Sequence, residues 1–68
     1  MRTFKFTFET CQEGKTRGVA IEGPSFSLAM EEASKRLGCA ISDLEHVKSQ
    51  RLEGDIWITI FDPFRGIV

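Results

Sequence analysis

The stretch IEGPSFSLAMEEASKRLG, residues 21–38, changes its hydrophobic period within its first few residues. After Gly23 and Pro24, apolar residues recur at i, i+3, i+4, i+7 and i+11, the stripe of an amphipathic helix. The stripe consists of Phe26, Ala29, Met30, Ala33 and Leu37. Ser25 is the predicted N-cap because its hydroxyl can accept a backbone N–H of the first turn. Gly38 is predicted to end the helix.

The residues before this stretch have the period of strands. The segment FKFTF, residues 4–8, alternates phenylalanine with polar residues, as a half-buried strand does. A turn signal at Gly14 follows, so residues 2–10 and 16–22 are predicted to form a hairpin. Gly18 lies inside the second strand and indicates a bulge or a close approach of two backbones.

The residues after the helix are less clear. Ser42 followed by Glu45 imitates a helical capping box, and residues 42–52 could therefore be helix or strand. A strand at about 44–52 is favoured because a turn signal and the segment IWITIF, residues 56–61, come next. That segment is β-branched and aromatic throughout, so the two strands would pair as a second hairpin.

The element order predicts one α+β domain over residues 1–68, with a β-β-α-β-β antiparallel sheet and one helix packed on one face. Alternation assigns the side chains to two faces of the sheet. The face beneath the helix is predicted to hold Phe4, Phe6, Phe8, Val19, Ile21, Ile56, Ile58 and Ile60. The open face is predicted to hold Lys5, Thr7, Glu9, Ala20, Glu22, Trp57, Thr59 and Phe61.

Two aromatic residues on the predicted open face, Trp57 and Phe61, form the first candidate partner-binding surface. One interpretation is that the chain's own Phe64 and Ile67 fold back over them. The other is that they meet a partner or a second copy of the chain, since aromatic residues are enriched where interfaces concentrate their energy.

The outer face of the predicted helix is the second candidate surface. It carries Leu28, Glu31, Glu32, Lys35 and Arg36. Such a run is usually a solvated face, here with a predicted ion pair between Glu31 and Lys35 at i, i+4. Leu28 is the exception, because it is apolar and lies opposite the buried stripe.

Size, charge and motifs limit the function classes. A chain of 68 residues builds a small core, so a binding surface is favoured over a deep catalytic pocket. The net charge of −1 gives no general attraction to nucleic acid, and strong direct binding to DNA or RNA is not expected. Cys11, Cys39 and His46 form no metal or catalytic pattern, and Cys39 is expected to be buried. We therefore expect no catalysis, no cofactor, no metal and no membrane span, and a cytoplasmic protein.

The strand-to-helix junction resembles that of a small family of phage type I-F anti-CRISPR proteins. The matching positions are Ile21, Glu22, Pro24, Ser25, Ser27, Ala29, Ala33, Ser34 and Lys35, with Trp57 in the place of a late aromatic strand. The resemblance implies a non-catalytic inhibitor that binds the CRISPR surveillance ribonucleoprotein and obstructs the pairing of guide with target. The sequence departs from the family at Met30 and Glu31, where the family has basic residues.

An acidic helix face implies a variant of that role. In this variant, acidic side chains would stand in for phosphates in the basic nucleic-acid groove of the target. The candidates are Glu13, Glu22, Glu31 and Glu32.

A second resemblance is to the short N-terminal domain of Jag-type RNA-binding proteins. Leu37 and Gly38 match the end of the helix of that domain, and Asp43 and Glu45 match the acidic start of its following strand. This resemblance implies an accessory module of a nucleic-acid binder. A third class, a homodimeric structural or regulatory protein that pairs through its open sheet face, stays open.

Overall fold

The computed structural model describes residues 3–62. The elements are β1 (Phe4–Gln12), β2 (Lys15–Gly23), α1 (Phe26–Leu37), a 3-10 turn (Ile41–Asp43), β3 (Glu45–Glu53) and β4 (Ile56–Phe61). The α+β class and the β-β-α-β-β order are confirmed. The ambiguous segment 42–52 is mainly a strand, as predicted.

The four strands form one antiparallel sheet in the order β2-β1-β3-β4. Both hairpins close through two-residue turns. Glu13 and Gly14 both have positive φ, at 52° and 78°, as a type I′ turn requires. In the second turn only Gly54 has positive φ, at 61°, which fits a type II′ turn. Both turn types match the right-handed twist of paired strands, so each hairpin has a defined register.

Both ends of α1 are capped as the sequence predicts. The Ser25 hydroxyl accepts the backbone N–H three residues further on at 3.4 Å, and Gly38 takes the left-handed conformation with φ 67°. The N–H of Gly38 then donates to the carbonyl of Ser34 at 2.9 Å. The Arg17 guanidinium on β2 donates to the carbonyl of Leu37 at 3.3 Å, which places a cation at the negative end of the helix.

The core lies between α1 and the first hairpin. Its buried apolar residues are Phe6, Phe8, Ile21, Ala29, Ala33 and Leu37. Phe8 is 1% exposed and Ala33 is fully buried, so a small helix residue lets α1 approach the sheet closely.

Gly18 on β2 lies close to the neighbouring strand. A Cβ at Gly18 would lie 3.3 Å from Cγ of Glu9, and the β1–β2 register has no shift. Gly18 therefore marks a close approach and not a bulge.

The prediction that Ile56, Ile58 and Ile60 lie beneath the helix is wrong. α1 lies over β2 and β1, because only Pro24 and Ser25 separate β2 from α1. β4 lies at the far edge of the sheet, and these isoleucines are 68%, 38% and 48% exposed.

The assignment of Phe61 to the open face is also wrong. The β3–β4 register shifts between Ser49 and Gln50, so that Phe61 pairs with buried Ser49, which itself pairs with Phe6. Phe61 consequently points to the helix side of the sheet. The suggestion that Phe64 and Ile67 cover the aromatic residues concerns positions outside the described residues.

Thr10 offers a first test of the core. It is 3% exposed, and its hydroxyl has no hydrogen-bond partner among residues 3–62. Thr10→Val keeps the shape and removes the uncompensated hydroxyl, so we expect the free energy of unfolding to rise by about 1 kcal/mol. Guanidinium denaturation followed by circular dichroism measures this. Thr7→Val, at a half-buried position on the open face, is the matched control and should change stability by less than about 0.5 kcal/mol. Lower stability of Thr10→Val would contradict the prediction.

Candidate partner-binding surface

The seven candidate residues from the sequence lie in four places. Leu28, Glu32 and Arg36 line one groove together. Glu31 and Lys35 lie on the exposed outer side of α1. Trp57 is on the open sheet face, and Phe61 is on the opposite face.

The groove lies where β2 passes into α1, and we call it the junction groove. It is lined by Ile21, Glu22, Gly23, Pro24, Ser25, Leu28, Ala29, Glu32 and Arg36. Leu28 is 60% exposed in it, although its neighbour Ala29 is 2% exposed. The short connection through Pro24 and Ser25 keeps the end of β2 beside the first turns of the helix. The groove is therefore built by the same residues that switch the chain from strand to helix.

Charged side chains form the helical side of the groove. Nε of Arg36 lies 3.0 Å from Oε2 of Glu32, an i, i+4 ion pair with both partners about half exposed. The predicted pair was Glu31 with Lys35, and this prediction is wrong: within residues 3–62 the ion pair on α1 is the one between Glu32 and Arg36. An exposed pair of this kind stabilises a helix by about 0.3–0.5 kcal/mol, so its placement bears more on recognition than on folding.

Trp57 lies on the open face, as predicted, but it is only partly available. The Lys5 ammonium lies 4.2 Å from the centre of the Trp57 ring, a cation–π contact that covers one face of the indole. Leu52 pairs directly with Trp57 across β3 and β4 and is 40% exposed. Leu52 was missed as a surface residue because the register shift at Val47 interrupts the alternation of β3.

Phe61 belongs to an aromatic cluster around His46. The rings of Phe61 and His46 stack with centroids 4.9 Å apart, and Phe26 meets His46 edge-on at 5.0 Å. Nε2 of His46 lies within hydrogen-bonding distance, 2.8 Å, of the Ser49 hydroxyl. His46 is half-buried, and these contacts account for it as a packing residue.

The acidic residues considered as phosphate mimics are not all together. Glu22 and Glu32 both line the junction groove. Glu31 is exposed on the outer side of the helix. Glu13 lies in the β1–β2 turn, at the opposite end of β2 from the groove. The structure thus brings two of the four into one surface.

Cys39 was predicted to be buried, but it is only half-buried, because it lies after the helix in the connection to β3. Cys11 is exposed. In the described part of the chain, no three His, Cys, Asp or Glu side chains are grouped so that they could hold a metal ion. Over residues 3–62, no helix combines the length and the apolar character needed to cross a bilayer.

Comparison of the chain with protein-family models, with curated proteins and with solved structures finds no match. The surface must therefore be interpreted from its own geometry. Gly23 and Pro24 also line the junction groove, although they were not among the candidate partner-binding residues predicted from the sequence. Their proximity to Leu28 follows from the two-residue connection and could have been inferred from its length.

Proposed function

We propose that this chain is a non-catalytic inhibitor that binds a type I CRISPR surveillance complex through the junction groove and the outer face of α1. The observation that carries the binding surface is Leu28, an apolar side chain 60% exposed within a groove that has a charged side. By binding there, the chain would keep guide RNA from pairing with target DNA in the host cytoplasm.

The composition of the groove supports a protein partner. Interface hot spots are enriched in aromatic and arginine side chains, and they are surrounded by contacts that exclude water on binding. Leu28 provides the apolar part, and Arg36 provides a guanidinium that can exchange Glu32 for a partner's carboxylate. Lys35 is exposed one position away and extends the basic part of this surface.

The position of the groove in the sequence supports the particular target. Of the nine positions at which the chain resembles the anti-CRISPR family, Ile21, Glu22, Pro24, Ser25 and Ala29 also line the junction groove. In RNA-guided systems the guide supplies sequence specificity, so a small protein that obstructs guide pairing inactivates the complex without catalysis.

The test is affinity purification from a bacterium that carries a type I-F CRISPR system, together with phage plaque counts on that immune host. We expect the tagged chain to retain the surveillance complex and to raise plaque counts. Leu28→Asp, at an exposed position, should remove both effects while its circular dichroism stays unchanged. Unchanged immunity with the protein soluble and abundant, across several type I subtypes, would refute the CRISPR target.

A second candidate function is favoured by the open sheet face, where Lys5 and Lys48 lie on the same face as Trp57. Single-stranded nucleic acid binds to sheets through stacking on aromatic residues beside basic ones. In a titration with single-stranded RNA, followed by the fluorescence of the one tryptophan, we expect dissociation constants no tighter than the non-specific range of about 10⁻⁴–10⁻⁶ M. Sub-micromolar binding would favour the nucleic-acid accessory function instead.

A further inference from the structure

The outer edge of β4 lacks most of the features that keep sheet edges from pairing. Within residues 3–62, β4 pairs with β3 alone and forms one edge of the sheet. Its sequence, IWITIF, contains no charged residue, no proline and no glycine. Natural edge strands are usually protected by charges, proline or bulges. The register shift near Ile60 is the one such feature, and it leaves Ile56–Thr59 regularly paired with β3.

The opposite edge of the sheet is different. β2 has the sequence KTRGVAIEG, with Lys15, Arg17 and Glu22 along it and glycine at positions 18 and 23. When two copies of one strand pair about a two-fold axis, each residue lies opposite its own copy or opposite a residue close to it in sequence. A charged residue on an edge therefore tends to lie near a like charge of the other copy. β4 is free of this repulsion at every register, which makes it the self-complementary edge.

The backbone of β4 points hydrogen-bonding groups to the outer edge at two positions. The N–H of Leu52 donates to the carbonyl of Thr3 at 3.0 Å, away from β4. Because backbone groups alternate in direction along a strand, Trp57 and Thr59, opposite Leu52 and Gln50, point their N–H and C=O groups to the outer edge. The intervening Ile58 bonds inward to β3.

The side chains beside this edge are apolar and uncovered by the helix. Ile56, Ile58 and Phe61 lie on the helix side of the sheet, but α1 lies over β2 and β1. Their exposures are 68%, 38% and 49%. Full burial of an isoleucine or phenylalanine is worth about 1.5–3 kcal/mol, so even partial burial of these side chains favours association.

We propose that a second copy of the chain pairs with the outer edge of β4, antiparallel about a two-fold axis, and extends the sheet from four strands to eight. The axis runs perpendicular to the sheet, so the two copies of α1 lie on the same face. Ile56, Ile58 and Phe61 of both copies then lie between the two helices, with the ion pair of Arg51 and Glu53 on β3 beside them. This interface is distinct from the junction groove and does not depend on the CRISPR target.

The test is sedimentation equilibrium of the full chain over a range of micromolar concentrations. We expect a mass of twice 7.7 kDa at the upper end of the range.

Thr59→Pro removes an outward N–H and leaves the bonds to β3 intact, so it should weaken dimerisation at least about tenfold with the fold retained. Ala20→Pro is the matched control on β2, the opposite edge of the sheet. Lys15 bonds inward to Gln12 where the turn closes, and backbone groups alternate in direction along a strand, so the N–H of Ala20 points outward. This control substitution should leave dimerisation unchanged.

A charge-swap pair gives a second, independent readout. Ile58→Lys and Ile58→Glu should each be monomeric, and an equimolar mixture of the two should recover the doubled mass. A chain that is monomeric throughout the range, or a dimer that a folded Thr59→Pro variant leaves unaffected, would overturn the proposal. A monomeric full chain that dimerises when residues 63–68 are deleted would also overturn it, because the chain itself would then block the edge.

Discussion

Phe8→Ala is expected to remove a large part of the protein's stability, about 3–5 kcal/mol of its free energy of unfolding. Phe8 is 1% exposed and contacts the rings of Phe26 and His46, with centroids 5.5 and 5.8 Å away. Truncating a buried phenylalanine costs about 3–5 kcal/mol through lost burial and the cavity left behind. A domain of 68 residues is stable by only about 3–10 kcal/mol. Loss of most of the far-ultraviolet circular dichroism, or a large fall in the guanidinium midpoint, is the expected result.

Leu28→Ala is the matched control for that truncation, because it also removes a large apolar side chain. At 60% exposure Leu28 contributes little to the core, and alanine has the highest helix propensity, so we expect a change within about 0.5 kcal/mol. An unchanged midpoint for Phe8→Ala would show that the core does not depend on β1 in the way the packing implies.

The double variant Lys35→Glu with Arg36→Glu is expected to lose binding to the type I-F surveillance complex by at least about 30-fold. Removing charged contacts at a partly desolvated interface costs about 2–5 kcal/mol, and 1.4 kcal/mol corresponds to a factor of ten. Both residues are exposed, so the substitutions leave the core intact. Replacing the ion pair of Arg36 and Glu32 by two carboxylates loses one attraction and adds one repulsion of similar size, so it should cost the helix about 0.4–1 kcal/mol. Surface plasmon resonance with the immobilised complex measures the loss.

The control for this variant is Lys15→Glu with Lys48→Glu, which changes the net charge by the same amount, from −1 to −5, at positions away from the groove. It should bind with nearly unchanged affinity, apart from a long-range electrostatic effect of the added negative charge that high salt screens out. Equal losses in both double variants would assign the effect to overall charge and would remove the junction groove from the contact.

The fold could be predicted from the sequence where one period persists along an element. FKFTF alternates over its length, IWITIF is β-branched and aromatic throughout, and the stripe in residues 26–37 follows the helical period, so their types and approximate bounds are confirmed. The caps at Ser25 and Gly38 were equally predictable, because one residue type suits each conformation.

The positions of β4 side chains could not be predicted in the same way. Counting by twos from Trp57 assigns Phe61 to the open face, but one register shift reverses that assignment. No residue type in IWITIF signals the shift. The coverage by the helix depends on strand order, which local patterns do not encode, so the exposure of Ile56 and Ile58 was missed. The junction groove was only partly anticipated, through Leu28, Glu32 and Arg36, because its other side comes from the β2 exit.

The central position of β1 has a consequence for how the chain assembles. Each hairpin joins neighbours in sequence through a two-residue turn, whereas β1 and β3 join residues from 36 positions apart, at Glu9 and Glu45, to 47 apart, at Phe4 and Arg51. Such distant pairings carry a larger loop-closure entropy than local turns. The pairing of β1 with β3 therefore carries most of the entropic barrier to assembly, and it joins two separate hairpins into one cooperative sheet.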